Sequence, residues 1–268
     1  TFIREVENGE IVIIENNKLT TVKPFPKQKP RPCVFEFIYF ARPDSLINGK
    51  CAYEYRKNLG SELAKETDIE ADLIVPVPDS GVPAALGYAE QSKKQFELGL
   101  IRNHYVGRTF IEPTQSIRSL GVKLKLSSTR TIVKNKSIIL IDDSLVRGTT
   151  CHKIVKMLYE AGAKEVHVRI ACPQIKHPDF YGVDMPTEEE LLANKKNINE
   201  MRDYISAKTL KFLSLEGLYS ALINEKRNTS YPQFSDHYFT GDYPIKPHDN
   251  LKGAKVKQLS LLSGKSSN

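Results

Sequence analysis

Two adjacent carboxylates, Asp142 and Asp143, follow the aliphatic run Ile138-Ile139-Leu140-Ile141 and precede the loop Ser144-Leu145-Val146-Arg147-Gly148-Thr149-Thr150. Paired carboxylates accept hydrogen bonds from two neighbouring hydroxyls, directly or through a hydrated Mg²⁺. A loop of small residues that opens a helix offers hydroxyls and close backbone amides, which is where a phosphate monoester is stabilised. A diol and a phosphate side by side belong to one sugar, so the thirteen residues read as a cradle for a ribose phosphate. An ordinary acidic turn is the competing reading. It requires the strand, the acid pair, the glycine and the threonine pair to coincide by chance.

The elements that must position this cradle follow from the pattern around it. Four consecutive aliphatics suit a central parallel strand covered on both faces, and such strands deliver their C-terminal loops to the crevice where α/β sheets bind ligands. Strands are expected over 71–78, 96–101, 137–141 and 165–171, and helices over 82–91 and 149–161. In the second helix Ile154, Val155, Met157 and Leu158 form the apolar stripe, and Gly162 is its C-terminal stop. This succession implies an α/β fold with a central parallel sheet flanked by helices. Between the second and third strands lie about 35 polar, basic residues, long enough for a functional lid. Helices over 187–194, 199–205 and 214–225 are expected to cover the active-site edge. At the other end, strands over 2–6 and 11–14 flank Asn8-Gly9, a hairpin turn signal, and proline-rich 22–32 reads as an extended crossing segment.

The chain has 268 residues, of which 40% are hydrophobic, enough for one substantial core. No run of 18 apolar residues and no charged-then-apolar leader occurs, so a soluble, cytoplasmic protein without membrane contact is expected. Cys33, Cys51, Cys151 and Cys172 are widely spaced, which indicates neither a zinc site nor a disulfide framework. The net charge of +7 is local: residues 102–136 carry eight cations against Glu112 alone, and residues 251–268 carry four lysines and no acid. That distribution fits a polyanionic small substrate better than a basic face tracking nucleic acid.

The acid pair with its loop resembles the type I phosphoribosyltransferases, whose shared donor is phosphoribosyl pyrophosphate. Further strings narrow the resemblance: Cys33 to Ser45, ending Tyr39-Phe40-Ala41-Arg42-Pro43-Asp44-Ser45; Val75-Pro76-Val77-Pro78-Asp79-Ser80-Gly81; Asn103 to Ile111, containing Tyr105-Val106-Gly107-Arg108-Thr109-Phe110; and Tyr181-Gly182-Val183-Asp184-Met185-Pro186. With the opening motif they are similar, across roughly residues 1 to 245, to the phosphoribosyltransferase half of the glutamine phosphoribosylpyrophosphate amidotransferases. The resemblance implies a type I phosphoribosyltransferase fold with a flexible lid loop and a C-terminal helical cover. It also implies a glycosyltransferase of purine biosynthesis, in which ammonia displaces pyrophosphate to give 5-phosphoribosylamine. Mg²⁺ is the implied cofactor, purine nucleotides are the implied inhibitors, and a homo-oligomer is the implied assembly.

Residue roles carry over with the resemblance. Asp79, Ser80 and Gly81 would bind pyrophosphate, Ser80 also helping to hold Mg²⁺. Asp142 and Asp143 would be the metal-associated ribose ligands. Ser144, Gly148, Thr149 and Thr150 would hold the 5-phosphate, with Arg147 adding a cation. Lid closure would bring Arg102, Arg108 and Lys125 toward the leaving pyrophosphate and exclude water. The family pattern leads one to expect Lys and Arg where this chain has Arg102 and His104.

The resemblance also sets domain expectations. Residues 1–32 would be remnant strands of a glutaminase domain with a linker, 33–250 the phosphoribosyltransferase domain, and 251–268 a disordered basic tail. The glutaminase domain itself would precede residue 1, so the expected nitrogen source is free ammonia or a separate glutaminase. Some family members hold an iron-sulfur cluster with a ligand at the position of Cys33. Asp179 stands where those relatives have Cys, and 231–240 contains no cysteine, so a cluster is disfavoured. A phosphoribosyltransferase-like regulator that senses nucleotides and binds nucleic acid is the alternative function, and an expressed fragment is a further reading.

Overall fold

A computed structural model describes residues 3–67, 69–103 and 126–245. His104, Arg108, Lys125 and the basic tail therefore lie outside the described residues, as does most of the expected lid. In chain order the strands are β1 (Ile11–Glu15), β2 (Lys18–Val22), β3 (Leu46–Ile47), β4 (Lys50–Cys51), β5 (Leu73–Pro76), β6 (Gln95–Phe96), β7 (Leu100–Arg102), β8 (Leu126–Ser128), β9 (Ser137–Asp142), β10 (Glu165–Ile170) and β11 (Thr209–Phe212).

The central sheet is parallel, in the order β11-β10-β9-β5-β6. Leu140 lies opposite Val75 on one side and Val168 on the other, and all three are buried. Each aliphatic side chain fully buried in this way contributes about 1.5–3 kcal/mol. The register continues past the strands, since the Val77 amide donates to the Ile141 carbonyl (2.8 Å) and the Ala171 amide to the Asp142 carbonyl (2.9 Å). The turn after β5 and the loop after β9 therefore leave the sheet side by side.

Two helices pack closely, α1 (Ala52–Thr67) and α2 (Val82–Ser92). Their crossing needs a hydrogen at two positions. A Cβ on Gly60 would stand 1.8 Å from the Ala84 carbonyl oxygen, and one on Gly87 1.9 Å from that of Lys57. The helix Thr149–Glu160 buries Ile154, Val155 and Leu158 as expected, while Met157 is half-buried.

Four sequence expectations change. The hairpin turns at Asn16-Asn17, both at positive φ (47° and 61°), and not at Asn8-Gly9. Two successive positive-φ residues match the two-residue turn that antiparallel strands favour. The strand expected over 96–101 divides at Gly99: β6 joins the central sheet, whereas β7 pairs antiparallel with β8. The lid segment is accordingly shorter than 35 residues, since 126–128 form a strand and Arg130–Val133 a helical turn. Residues 46–70, to which the pattern assigns no element, contain the 16-residue α1. Its buried face mixes Arg56, Gly60 and Thr67 with Tyr55, Leu59 and Leu63, so no clean apolar stripe marks it.

The C-terminal third supplies the cover. A 3₁₀ turn (Glu188–Glu190) and the helices Leu192–Lys195 and Ile198–Tyr204 precede β11, the last opened by a reciprocal cap between Asn197 and Glu200. The helix Leu215–Ile223 packs instead on α1, where Asn58 Nδ2 donates to the Ala221 carbonyl (3.3 Å) and Glu66 accepts from the Ser214 amide (2.8 Å). Fully buried Asp236 is held by Arg227 (2.6 Å) and by the Tyr219 hydroxyl (2.9 Å). Among the described residues no helix is long and apolar enough to cross a membrane.

Candidate active site

The turn Pro78 to Gly81 is shaped by contact with the neighbouring strand. A Cβ on Gly81 would meet the Ile141 carbonyl oxygen at 2.5 Å and that of Val77 at 2.9 Å, so only glycine lets the turn sit against the end of β9. That contact sets the Ser80 hydroxyl beside the Asp143 carboxylate, where it favours the charged form. Asp143 is buried and also accepts from the Ser144 hydroxyl (2.5 Å), while half-buried Asp142 accepts from the Asp143 amide (3.0 Å).

The two adjacent acids have distinct surroundings. Asp142 borders a cavity of about 230 Å³ whose remaining wall is the loop Ser144 to Cys151. Burial, and then the neighbouring charge of Asp143, push the Asp142 carboxyl well above the usual carboxylate range. Burial raises Asp143 as well, offset in part by its hydrogen bonds to Ser144 and Ser80 and by the positive charge of Arg56. Both acids are thus short of positive charge, and together with Ser80 and Ser144 they offer hard oxygen donors, whereas the neighbouring thiols of Cys151 and Cys172 are raised by burial and by these carboxylates.

The loop itself is pinned by the cover. Gly148 adopts φ +75°, and a Cβ there would stand 2.7 Å from Leu192 Cδ2 and 3.1 Å from Tyr204 Cε1. The Leu192 amide donates to the Val146 carbonyl (2.9 Å), and Tyr204 stacks on His152 in the first turn of the following helix. Arg147 is exposed and donates to Glu190 (2.8 Å). The sequence placed covering helices over 187–194 and 199–205 but singled out none of Glu190, Leu192 or Tyr204, because they reach the loop through chain folding and lie 40 or more residues beyond it.

A second cleft, about 430 Å³, opens on the other side of Ser80. Its walls include Tyr39, Arg42, Arg56, Asp79, Ser80 and Arg102. Arg102 donates to Asp79 (2.5 Å), so the root of the expected lid meets the turn after β5. The structure thus brings together Asp79, Ser80, Gly81, Asp142, Asp143 and Ser144, places Gly148, Thr149 and Thr150 around the adjoining cavity, and adds Arg102 at the rim.

Asp179, the residue at a cluster-ligand position by resemblance, lies elsewhere, against Cys33 and the helical turn His237–Thr240. Its Oδ1 accepts from the Tyr238 hydroxyl (3.0 Å) and lies 2.8 Å from His237 Nε2, while its Oδ2 accepts from the amides of Tyr181, Gly182 and Val183. Burial pushes its carboxyl up, but these hydrogen bonds outweigh burial and hold it below the usual range. Cys33 Sγ is 3.3 Å from the Tyr238 hydroxyl, and burial raises its thiol. Among the described residues no group of three or more His, Cys, Asp or Glu side chains is arranged to hold a metal ion.

Residues 51–201, which include α1, the turn after β5, the acid pair and the loop, match the family described as the phosphoribosyl transferase domain. The chain belongs to that family. Within it, the sequence is 54% identical to an amidophosphoribosyltransferase of Rhizobium etli, over 98% of this chain and 54% of that protein. It is 47% identical to the amidophosphoribosyltransferase of Bacillus subtilis, over 97% of this chain and 55% of that protein. The chain spans about half the length of the curated relatives it matches. Among solved structures, the phosphoribosyl transferase domain and its flanking segments match a glutamine phosphoribosylpyrophosphate amidotransferase from B. subtilis complexed with ADP and GMP. The TM-score is 0.80 at 48% identity, covering 91% of this chain and 53% of that one. The type I phosphoribosyltransferase architecture expected from the sequence is the architecture found.

Proposed function

We propose that this chain is the phosphoribosyl half of an amidophosphoribosyltransferase, a cytoplasmic pentosyltransferase that forms 5-phosphoribosylamine and pyrophosphate from phosphoribosyl pyrophosphate and ammonia. The observation that carries the reading is the acid pair, with Ser80 of the turn after β5 beside it and a cavity of about 230 Å³ under the loop Ser144 to Cys151, in a chain 54% identical to an enzyme of that name. That identity, over 98% of the chain, favours the enzyme over the nucleic-acid-binding regulator.

In this reading Asp142 and Asp143 receive the ribose hydroxyls, and the cavity formed by Ser144 to Thr150 receives the 5-phosphate. Asp79, Ser80 and Gly81 face the pyrophosphate. The donor set of Ser80, Asp142 and Asp143 is all oxygen and electron-rich, which suits Mg²⁺ brought in with the phosphates of the donor. What that cation supplies when bound is neutralisation of charge on the departing pyrophosphate. Neutral ammonia needs no strong general base, so the chain's own task is to orient the donor and stabilise developing charge. Arg102 would exchange Asp79 for pyrophosphate, joined by Arg108 and Lys125, as the segment between β7 and β8 excludes water.

The division into 1–32, 33–250 and 251–268 belongs to the same proposal. The hairpin β1-β2 leaves Ile13, Ile14 and Leu19 exposed (46%, 73% and 49%), as suits a segment covered by a glutaminase domain. Inhibition by purine nucleotides and assembly into a homo-oligomer complete it. The test is pyrophosphate release from phosphoribosyl pyrophosphate with ammonium or glutamine as nitrogen source. Mg²⁺-dependent release with ammonium is expected, and a folded sample that releases none with either source refutes the proposal.

A further inference from the structure

Arg56, in the middle of α1, is 4% exposed, yet it borders the cleft beside Ser80. Two of its nitrogens are committed to backbone: Nε donates to the Phe37 carbonyl (3.1 Å), and Nη2 to those of Ala41 (2.6 Å) and Glu36 (3.4 Å). These three carbonyls belong to the π-helical turn Glu36–Phe40 and the residue after it, which form the cleft's opposite wall. Nη1 donates to none of the described residues, and no ion pair among them includes Arg56. Burial disfavours the charged guanidinium, and the compensation is the charge of Asp143 first and then of Glu36, neither of which pairs with it.

A buried cation is expensive unless paired and fully hydrogen-bonded. Fastening a turn does not by itself demand that expense at the edge of a solvent-filled cleft. The other cations of the cleft differ in both respects. Arg42 and Arg102 are exposed, and each already holds a carboxylate, Asp44 at 2.9 Å and Asp79 at 2.5 Å. Arg56 alone of the three is preorganised, with one donor left over, and a preorganised guanidinium is suited to phosphate oxygens.

We propose that Arg56 is the anion-receiving floor of this cleft, its Nη1 taking an oxygen of the donor's diphosphate while Nε and Nη2 fix the Glu36–Ala41 wall. The inference rests on the donor reading given above and deepens it. It makes Arg56 a binding residue for the leaving group, 24 residues before the turn that carries Ser80.

The test is calorimetric binding of pyrophosphate with Mg²⁺, and separately of ribose 5-phosphate, to the whole chain and to Arg56→Met and Arg56→Lys. Arg56→Met is expected to weaken pyrophosphate by ~10- to 100-fold, the value of a charge-assisted hydrogen bond, and to affect ribose 5-phosphate far less, through the charge of Asp143 alone. Arg56→Lys keeps the charge but cannot serve three carbonyls and a ligand together, so its pyrophosphate affinity falls between the other two. Pyrophosphate affinity in Arg56→Met equal to that of the unaltered chain overturns the inference. So does parallel loss of both ligands in both variants, which marks a merely structural role. If Arg56→Met does not fold, Arg56→Lys with undiminished pyrophosphate binding overturns it as well. An unaltered chain that releases pyrophosphate with ammonium keeps the functional reading intact whatever the variants do. A chain that binds pyrophosphate through Arg56 but releases none loses the reaction and keeps the site.

Discussion

Replacing Gly81 by Ala adds one methyl group at the point where the turn after β5 touches β9. The added Cβ would lie 2.5 Å from the Ile141 carbonyl oxygen, against about 3.4 Å for ordinary contact, so the turn has to withdraw by about 0.9 Å. Neither obstacle is a side chain that can swing away. The Ile141 carbonyl already accepts the Val77 amide at 2.8 Å, and the Val77 carbonyl accepts the Gly81 amide at 2.9 Å, so the methyl group opposes both hydrogen bonds that shape the turn. Overpacking of this kind costs about 1–3 kcal/mol. It also carries Ser80 away from Asp143, and a displacement near 1 Å at a reacting centre costs on the order of 100-fold in rate. Stability is measured by urea unfolding followed by far-ultraviolet circular dichroism, because the chain has 12 tyrosines and no tryptophan. Activity is measured as pyrophosphate release with ammonium. Ser80→Ala is the companion variant: it removes the hydroxyl without a clash, so it should lower activity while leaving the urea midpoint nearly in place. A Gly81→Ala protein with the unaltered chain's urea midpoint and donor KM refutes the argument that this contact sets the site.

The acid pair and the buried histidine give predictions of opposite sign. Burial raises the Asp142 carboxyl above its ordinary value of 3.8, so its ionisation at pH 7 is less favourable in the folded chain than in the unfolded one. Asp142→Asn should therefore raise the thermal midpoint at pH 7 and lower pyrophosphate release by ~10- to 100-fold; a lowered midpoint contradicts the assignment of strain to this carboxylate. His167 is lowered from 6.5, by burial first and then by the charge of Arg169. The unfolded chain binds the proton more readily, so stability should decline as pH falls below about 6.5. In His167→Gln that decline between pH 7 and 5 should become shallower, and an unchanged slope in thermal scans would show that other groups govern it.

Much of the site was legible because its residues are contiguous. Ser137–Asp142, the loop from Ser144 and the helix from Thr149 form one strand-loop-helix unit, and local pattern alone predicts it. The turn at Ser80 was readable for the same reason. Arg56 was not, since a charged residue amid a helix reads as solvent-facing until the Glu36–Phe40 turn is folded over it. The misplaced hairpin shows a different limit: Asn8-Gly9 and Asn16-Asn17 are both turn signals, and the strand pairing from Ile11 to Val22 chose between them.

The sequence by itself determined the strand-helix succession that implies a parallel sheet, the acid pair at the end of a buried strand and the small-residue loop opening a helix, because each is written in a local pattern of near neighbours in the chain. Only the tertiary structure decided that Ser80 reaches Asp143, that Leu192 and Tyr204 press on Gly148, and that Arg56 lies beneath the cleft. Those pairings join residues 24 to 63 positions apart. They exist because β5 and β9 are neighbours in the sheet and the later helices fold back over its edge, and neither relation leaves a periodic trace in the chain.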